Sequence, residues 1–253
     1  MKRLLLSTAA ILIIGILLAF MPLFNHGLYL GINRCLPVSS SWFLLTAMGD
    51  ALFVGCILFV FFKDHFQLLV NSLLAGLCVH LFAQGGKYLF KVLRPEHVLN
   101  SADVHNFGHT LDYTNYAMPS GHAATIFMAV TLLVFGLKLP RGLTYGLYLI
   151  AAIVTLSRIA VGAHWPADCL VGAAGGSLIG AFFSSTRIQF SFFGIRPIVY
   201  FLFSLFVYFS LKAGTEFFRS GSYYYLVLML PAVFALPVLI AKTVNMLRKR
   251  EWR

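Results

Sequence analysis

Between Ser157 and Asp168 the chain reads SRIAVGAHWPAD, which sets an arginine, a histidine and an aspartate between two long apolar runs. His164 and Asp168 stand four residues apart, so a helix that begins near Pro166 brings the carboxylate within one turn of the imidazole. A carboxylate so placed holds one ring nitrogen and leaves the other free. In that state a histidine attacks an electrophile or moves a proton, and Arg158, permanently charged, supplies an anion clamp beside it.

Two other blocks carry complementary groups. In KYLFKVLRP, Lys87 to Pro95, the seven-residue spacing of Lys87 and Arg94 predicts one helix face two turns long. Lys91 falls on the same face, and Pro95 ends the helix. In PSGH, Pro119 is expected just before or in the first turn of a helix, Ser120 is a natural cap, and Gly121 lets a ligand approach the backbone. A helix N-terminus with free N–H groups is a ready site for phosphate. His164, oriented by Asp168, then suits a nucleophile, and His122 is placed to protonate a departing oxygen. The chemistry this implies is in-line displacement at phosphorus through a phosphohistidine, followed by attack of water. No divalent metal or other cofactor is required, because lysine and arginines supply the positive charge.

The elements that must position these groups are membrane helices. Of the 253 residues 60% are hydrophobic and 11% charged, far below the roughly one-quarter charged residues of soluble domains. Apolar runs cover Leu4 to Phe24, Phe43 to Phe62, Leu68 to Phe90, Ser120 to Leu137, Leu143 to Leu156, Ala167 to Ser184, Ile198 to Leu211 and Tyr224 to Ile240. These are eight candidate spans. The fifth and seventh are short, and Pro231 and Pro237 interrupt the last, so six or seven is an alternative count. The first run is expected to be a retained helix, since it exceeds the core of a secretory signal. No soluble domain or repeat is visible, and residues 1–253 read as a single membrane domain.

The net charge of +11 does not describe a nucleic-acid binder, because the basic residues are scattered through loops between apolar runs. With the N-terminus inside, 12 of the 19 lysines and arginines fall on the inner side. Both termini are therefore expected in the cytoplasm. The site blocks fall on the opposite face, periplasmic or exterior if the membrane is a bacterial inner membrane. Cys35, Cys56, Cys78 and Cys169 show neither disulfide nor zinc spacing.

Lys87 with Arg94-Pro95, then Pro119-Ser120-Gly121-His122, then Ser157-Arg158 with His164 and Asp168, together resemble the three-part signature of the type 2 phosphatidic acid phosphatase family, which includes bacterial acid phosphatases and vanadium haloperoxidases. The resemblance covers roughly residues 43–184. It implies a six-helix core, to which 185–253 would add two C-terminal helices in an all-α polytopic bundle. It further implies phosphate binding by Lys87, Arg94, Ser120, Gly121 and Arg158, and catalysis by His164, Asp168 and His122. The activity so implied is metal-independent hydrolysis of a lipid phosphate: a phospholipid, lipid A or a polyprenyl (di)phosphate. A lipid phosphotransferase using the same site is the nearest alternative, and an anion or lipid transporter is the rival from outside enzymology.

Other polar residues have simpler readings. His97, His105 and His109, with Glu96, Asp103 and Asp112, fit a solvated loop over the substrate better than a metal site. Asp50, His80 and Gln84 lie inside apolar runs and are expected to contact neighbouring helices. The glycines of VGAAGGSLIG suit close helix packing, and the basic RKREWR end, with Trp252, suits the cytoplasmic interface.

Overall fold

The computed structural model describes residues 2–99, 115–186 and 195–249, and the described residues form α-helices joined by turns and loops, without strands. His105, His109, Asp103, Asp112 and the RKREWR segment from Arg250 onward lie outside the described residues.

Helix α1 runs Lys2–Ala19 and α2 Pro22–Cys35. The first apolar run is therefore not one helix to Phe24. It breaks before Pro22, which occupies the first turn of α2, where its missing N–H costs no bond. The two axes differ by 106°, so α2 leaves the direction of α1 and packs on α8, Arg141–Ala160, and α9, Pro166–Ser185. The second run is also broken, into α3, Ser41–Ala47, and α4, Ala51–Phe62, bent by 57°. Asp50 causes that restart. It is the N-cap of α4, and its carboxylate Oδ1 accepts the Leu52 N–H at 2.8 Å.

Helix α5 covers Phe66–Phe90, a single turn α6 covers Pro95–Val98, and α7 covers Gly121–Gly136. The fifth and seventh apolar runs are longer than hydropathy suggested: α8 has 20 residues, and α10, Ile195–Ser220, has 26. Helix α11, Tyr223–Lys249, continues through both Pro231 and Pro237. Its packing against α10 is anchored one turn earlier by the Ser210 hydroxyl, which donates to the Leu228 carbonyl.

Among the described residues five helices are long and apolar enough to cross a membrane alone, and counting each bent pair as one span brings the number to seven. Helix α7, at 16 residues, is shorter, and most of its side chains are buried by the helices around it. It is the centre of the bundle.

Its partner is α9, and the pairing is the most extensive in the molecule. Gly172, Gly176 and Gly180 recur every fourth residue, which makes one stripe down α9. A Cβ at Gly172 would lie 2.5 Å from the Ser120 carbonyl oxygen and one at Gly180 2.7 Å from that of Met128, while one at Gly176 would overlap the carbonyl of Ala124. The stripe thus follows Ser120, Ala124 and Met128 in step, so α7 and α9 are parallel and touch backbone to backbone. Helix α1 covers another face of α9, and α10 and α11 pack together against α4.

Gly176→Ala should lower the thermal unfolding midpoint of detergent-solubilised protein, at an overpacking cost of about 1–3 kcal/mol. Gly146→Ala, at an α8 position with nothing within 4 Å, is the control and should leave the midpoint unchanged or raised.

Candidate active site

The parallel start of α7 and α9 brings PSGH to HWPAD. The Ser120 N–H donates to the Asp168 carbonyl oxygen at 3.0 Å, tying the first turn of one helix to that of the other. Helix α9 begins at Pro166, as its sequence predicts. His164 precedes it in a turn that ends α8, where Gly162 takes a φ of +82° that other residues rarely adopt.

Asp168 serves two groups with one carboxylate oxygen. Its Oδ2 accepts the Trp165 N–H at 2.8 Å, closing the N-terminus of α9, and stands 3.5 Å from His164 Nδ1. His164 and Asp168 are both almost fully buried. The imidazole faces the carboxylate with Nδ1, which leaves Nε2 toward the cations; Arg94 Nη1 lies 3.5 Å from it. Burial, and then the positive charges of Arg94, Arg158 and Lys87, hold the His164 pKa well below its ordinary value of 6.5. The ring is neutral at neutral pH, with a lone pair available for attack.

Arg94 arrives by a route that helical spacing does not describe. Helix α5 stops at Phe90, because Lys91 adopts a left-handed conformation (φ 48°, ψ 35°). Lys91 is exposed and no longer shares a face with Lys87. Arg94, the residue before a proline, is extended, which turns its side chain back into the bundle. There Nε donates to the Asn115 carbonyl at 2.7 Å, Nη2 to Asn115 Oδ1 at 3.0 Å and Nη1 to the Ala163 carbonyl at 2.7 Å. Lys87 Nζ reaches the same Asn115 Oδ1 at 3.5 Å. Asn115 thus aims both cations.

Arg158 is held differently. Its Nη1 donates to Thr46 Oγ1 at 2.5 Å, at the end of α3, and the neighbouring Asp50 accepts the Tyr224 hydroxyl of α11 at 3.0 Å. Arg158 Nε, Ser120 Oγ and His122 Nε2 are buried without a hydrogen-bond partner. Ser120 sits at the N-cap of α7 yet does not cap it with its side chain. Buried polar groups are ordinarily paired, and a tetrahedral oxyanion supplies the acceptors that a hydroxyl, a guanidinium and an imidazole N–H lack here. Lys87, Arg94 and Arg158 all act electrostatically on both histidines. All eight residues expected from sequence are brought together.

Several residues that position the site carry no signal in its three blocks. Trp165 is buried, donates from Nε1 to the Leu93 carbonyl at 2.7 Å, stacks on His26 at 4.2 Å and meets Tyr29 edge-on at 5.0 Å. From α2, Asn33 Nδ2 donates to the Ile159 carbonyl at 3.0 Å, and Asn25 Oδ1 accepts the Ala167 N–H at 3.2 Å. Asn25, Tyr29 and Asn33 recur every fourth residue after Pro22. That polar stripe on an amphipathic helix is the signal that could have revealed α2 as a brace over the His164 turn. Among the described residues no group of three or more His, Cys, Asp or Glu is arranged to hold a metal ion.

Below Lys87 and Gly121 a cavity of about 380 Å³ opens between α4, α5, α7 and α10. Its far end is lined by Leu58, Leu73, Met128 and Phe203. The molecule is therefore a helical integral membrane protein with a cationic, two-histidine pocket above an apolar groove.

The model of the PAP2 superfamily matches residues 64–192, a stretch containing all eight of these residues, and the chain belongs to that superfamily. It is 33% identical over 120 residues to the lipid A 1-phosphatase of Porphyromonas gingivalis, covering 47% of this chain and 23% of that protein. It is 30% identical over 135 residues to the undecaprenyl-diphosphatase of Sulfolobus acidocaldarius, covering 52% and 60%. The chain thus spans less than two thirds of either relative. Among solved structures, LpxE of Aquifex aeolicus superposes with a TM-score of 0.56 at 24% identity, over 64% of this chain and 96% of that one. A transmembrane PAP2 type phosphatidylglycerolphosphate phosphatase from Bacillus subtilis gives 0.56 at 18%, over 72% and 98%. Both share the fold.

Thr46→Val should release Arg158 and lower kcat/KM about tenfold, the usual scale for a hydrogen bond to a charged group. The inhibition constant of inorganic phosphate should weaken in parallel, and Thr46→Ser should restore both. A variant with wild-type phosphate affinity would show that Thr46 does not position Arg158.

Proposed function

We propose that this protein is an integral membrane lipid phosphatase that works through a phosphohistidine at His164. The observation that carries the reading is the buried His164, backed by Asp168 and flanked by Arg94, at the polar mouth of an apolar groove. The lipid phosphate is held by Lys87, Arg94, Ser120, Gly121 and Arg158, while the tail lies in the groove. The lone pair on His164 Nε2 forms a bond to phosphorus as the bond from phosphorus to the lipid oxygen breaks. His122, protonated once the bound phosphate offsets the three cations, gives its proton to that oxygen. Asp168 stabilises the charge that develops on the attacking ring, and the three cations stabilise the equatorial oxygens. Water then attacks the phosphohistidine, His122 takes its proton, and phosphate leaves as the bond to Nε2 breaks. The relatives named as acting on lipid A and on undecaprenyl diphosphate support an amphiphilic substrate.

His164→Ala should abolish phosphate release from purified lipid phosphates, and wild-type protein quenched during turnover should carry acid-labile phosphate on His164. Arg94→Ala and Arg158→Ala should each cost about two to three orders of magnitude in rate. Activity should survive excess EDTA. Label on His122, or an EDTA loss that a divalent ion restores, would refute this mechanism.

The distribution of lysine and arginine supports a periplasmic or exterior site, with the bacterial inner membrane as its location. Once the four native cysteines are replaced, a cysteine at the exposed Val98 should react with an impermeant thiol reagent on intact spheroplasts. One at the exposed Arg141 should react only after lysis. The reverse pattern would turn the site toward the cytoplasm.

A further inference from the structure

Of the three polar residues inside apolar runs, Asp50 meets a neighbouring helix as expected, whereas His80 and Gln84 are exposed. Asp50 closes the segment Thr46-Ala47-Met48-Gly49-Asp50 at the 57° break between α3 and α4, and that segment touches two groups of the pocket at once. Thr46 holds Arg158, and Gly49 lies against His122. A Cβ at Gly49 would stand 3.0 Å from His122 Cβ, 3.3 Å from His122 Cδ2 and 3.1 Å from Val154 Cγ1. Gly49 does not take a positive φ, so space and not backbone conformation keeps the position bare. The Gly49 N–H donates to the Thr46 carbonyl at 3.0 Å and the Asp50 N–H to that of Ala47 at 3.0 Å. Through these tight turns Thr46 and Gly49 move as one piece.

Asp50 sets where that piece stands. One carboxylate oxygen starts α4 at the Leu52 N–H, and the other accepts the Tyr224 hydroxyl from the first turn of α11 at 3.0 Å. Its charge also acts on Arg158 through space. Gly221, with a φ of +67°, turns the chain from α10 into α11 just before Tyr224, and α11 packs on both α3 and α4. Thr46, Gly49, Asp50 and Tyr224 all lie outside residues 64–192, the stretch that carries the eight site residues.

Resting on the phosphatase reading above, we infer that Gly49, Asp50 and Tyr224 are positioning residues for the chemical step: Tyr224 fixes Asp50, and with it a break on which the proton donor His122 and the anion clamp Arg158 are seated in register. Arg158 acts on the phosphoryl oxygens and His122 on the departing oxygen, so their relative placement enters the rate. A misplacement of about 1 Å costs on the order of 100-fold. The departing group separates the two contributions. An alkoxide leaves only with a proton and a nitrophenolate leaves without one, so a displaced His122 is felt by the first and a displaced Arg158 by both.

The test measures kcat and the inhibition constant of inorganic phosphate with dodecyl phosphate and with a nitrophenyl phosphate carrying a chain of like length, both in one detergent. Gly49→Ala should lower kcat on the alkyl substrate about tenfold or more, while the aryl rate changes by less than about threefold and phosphate affinity holds. Tyr224→Phe keeps the ring and loses the bond. It should weaken phosphate inhibition about threefold, less than the direct loss of Thr46, and should cost the alkyl substrate more than the aryl one. A merely structural role would lower both substrates in step and leave phosphate affinity untouched. That pattern, or wild-type rates in either variant, overturns the inference and leaves the phosphatase reading standing. If wild type hydrolyses no phosphate ester, the phosphatase reading fails instead, and the placement of His122 is read without turnover. In protein carrying isotope-labelled histidine, the ring signals of His122, assigned by their loss in His122→Gln, should move in both Gly49→Ala and Tyr224→Phe; unmoved signals refute the inference.

Discussion

The backbone contact between α7 and α9 is the constraint on which the rest depends. Three glycines at four-residue intervals let the helices close until only hydrogen atoms separate Gly172 and Gly176 from the carbonyls of Ser120 and Ala124. Because the helices are parallel, closeness along their length also brings their N-termini side by side, and the Ser120 N–H bonds to the Asp168 carbonyl. Two helix ends whose partial positive charges add then face one point. Helices in a bilayer gain little from hydrophobic association, so small residues and backbone contact are the available means of fixing such a pair.

Positive charge is costly at this depth, and each cation is fixed by neutral acceptors instead of by a carboxylate. Arg94 spends its donors on two carbonyls and an amide oxygen, Lys87 meets the same amide, and Arg158 meets a threonine hydroxyl. None of these partners neutralises a charge. The carboxylate of Asp168 is reserved for His164 and the backbone of Trp165. The pocket therefore keeps a net positive field that an anion can complete, and the same field suppresses protonation of His164.

The meeting of the site residues was legible because these residue types at fixed spacing leave few alternatives: His164 with Asp168, PSGH, and the paired Lys87 and Arg94 all meet where their blocks imply. Geometry was legible only where it is local. The start of α9 at Pro166 follows from sequence, but the Lys87–Arg94 face does not survive, because Lys91 leaves the helical region and Arg94 turns inward for partners far along the chain. Hydropathy merged α1 with α2 and α3 with α4, since a window over apolar residues is blind to a bend at Pro22 or to a cap at Asp50. It shortened α8 and α10 for the opposite reason: polar ends of a helix do not look like membrane. Asn115 and Trp165 were invisible because their roles are set by tertiary contacts.

The C-terminal pair α10 and α11 is integrated with the site from two directions. Tyr224 of α11 holds Asp50, the cap that restarts the chain after the bend, and that bend presents Thr46 to Arg158. Phe203 and Phe206 of α10 close one wall of the groove, and the edge of Phe206 occupies the space a side chain at Gly55 would need. The cationic residues proposed to hold phosphate and the apolar residues of the groove are thus set by different helices meeting at one cavity. Changes in α10 can alter what lies in the groove without touching His164 or its cations, whereas changes near Tyr224 propagate through Asp50 and Thr46 to Arg158. The polar pocket and the apolar wall can in this way vary independently of one another.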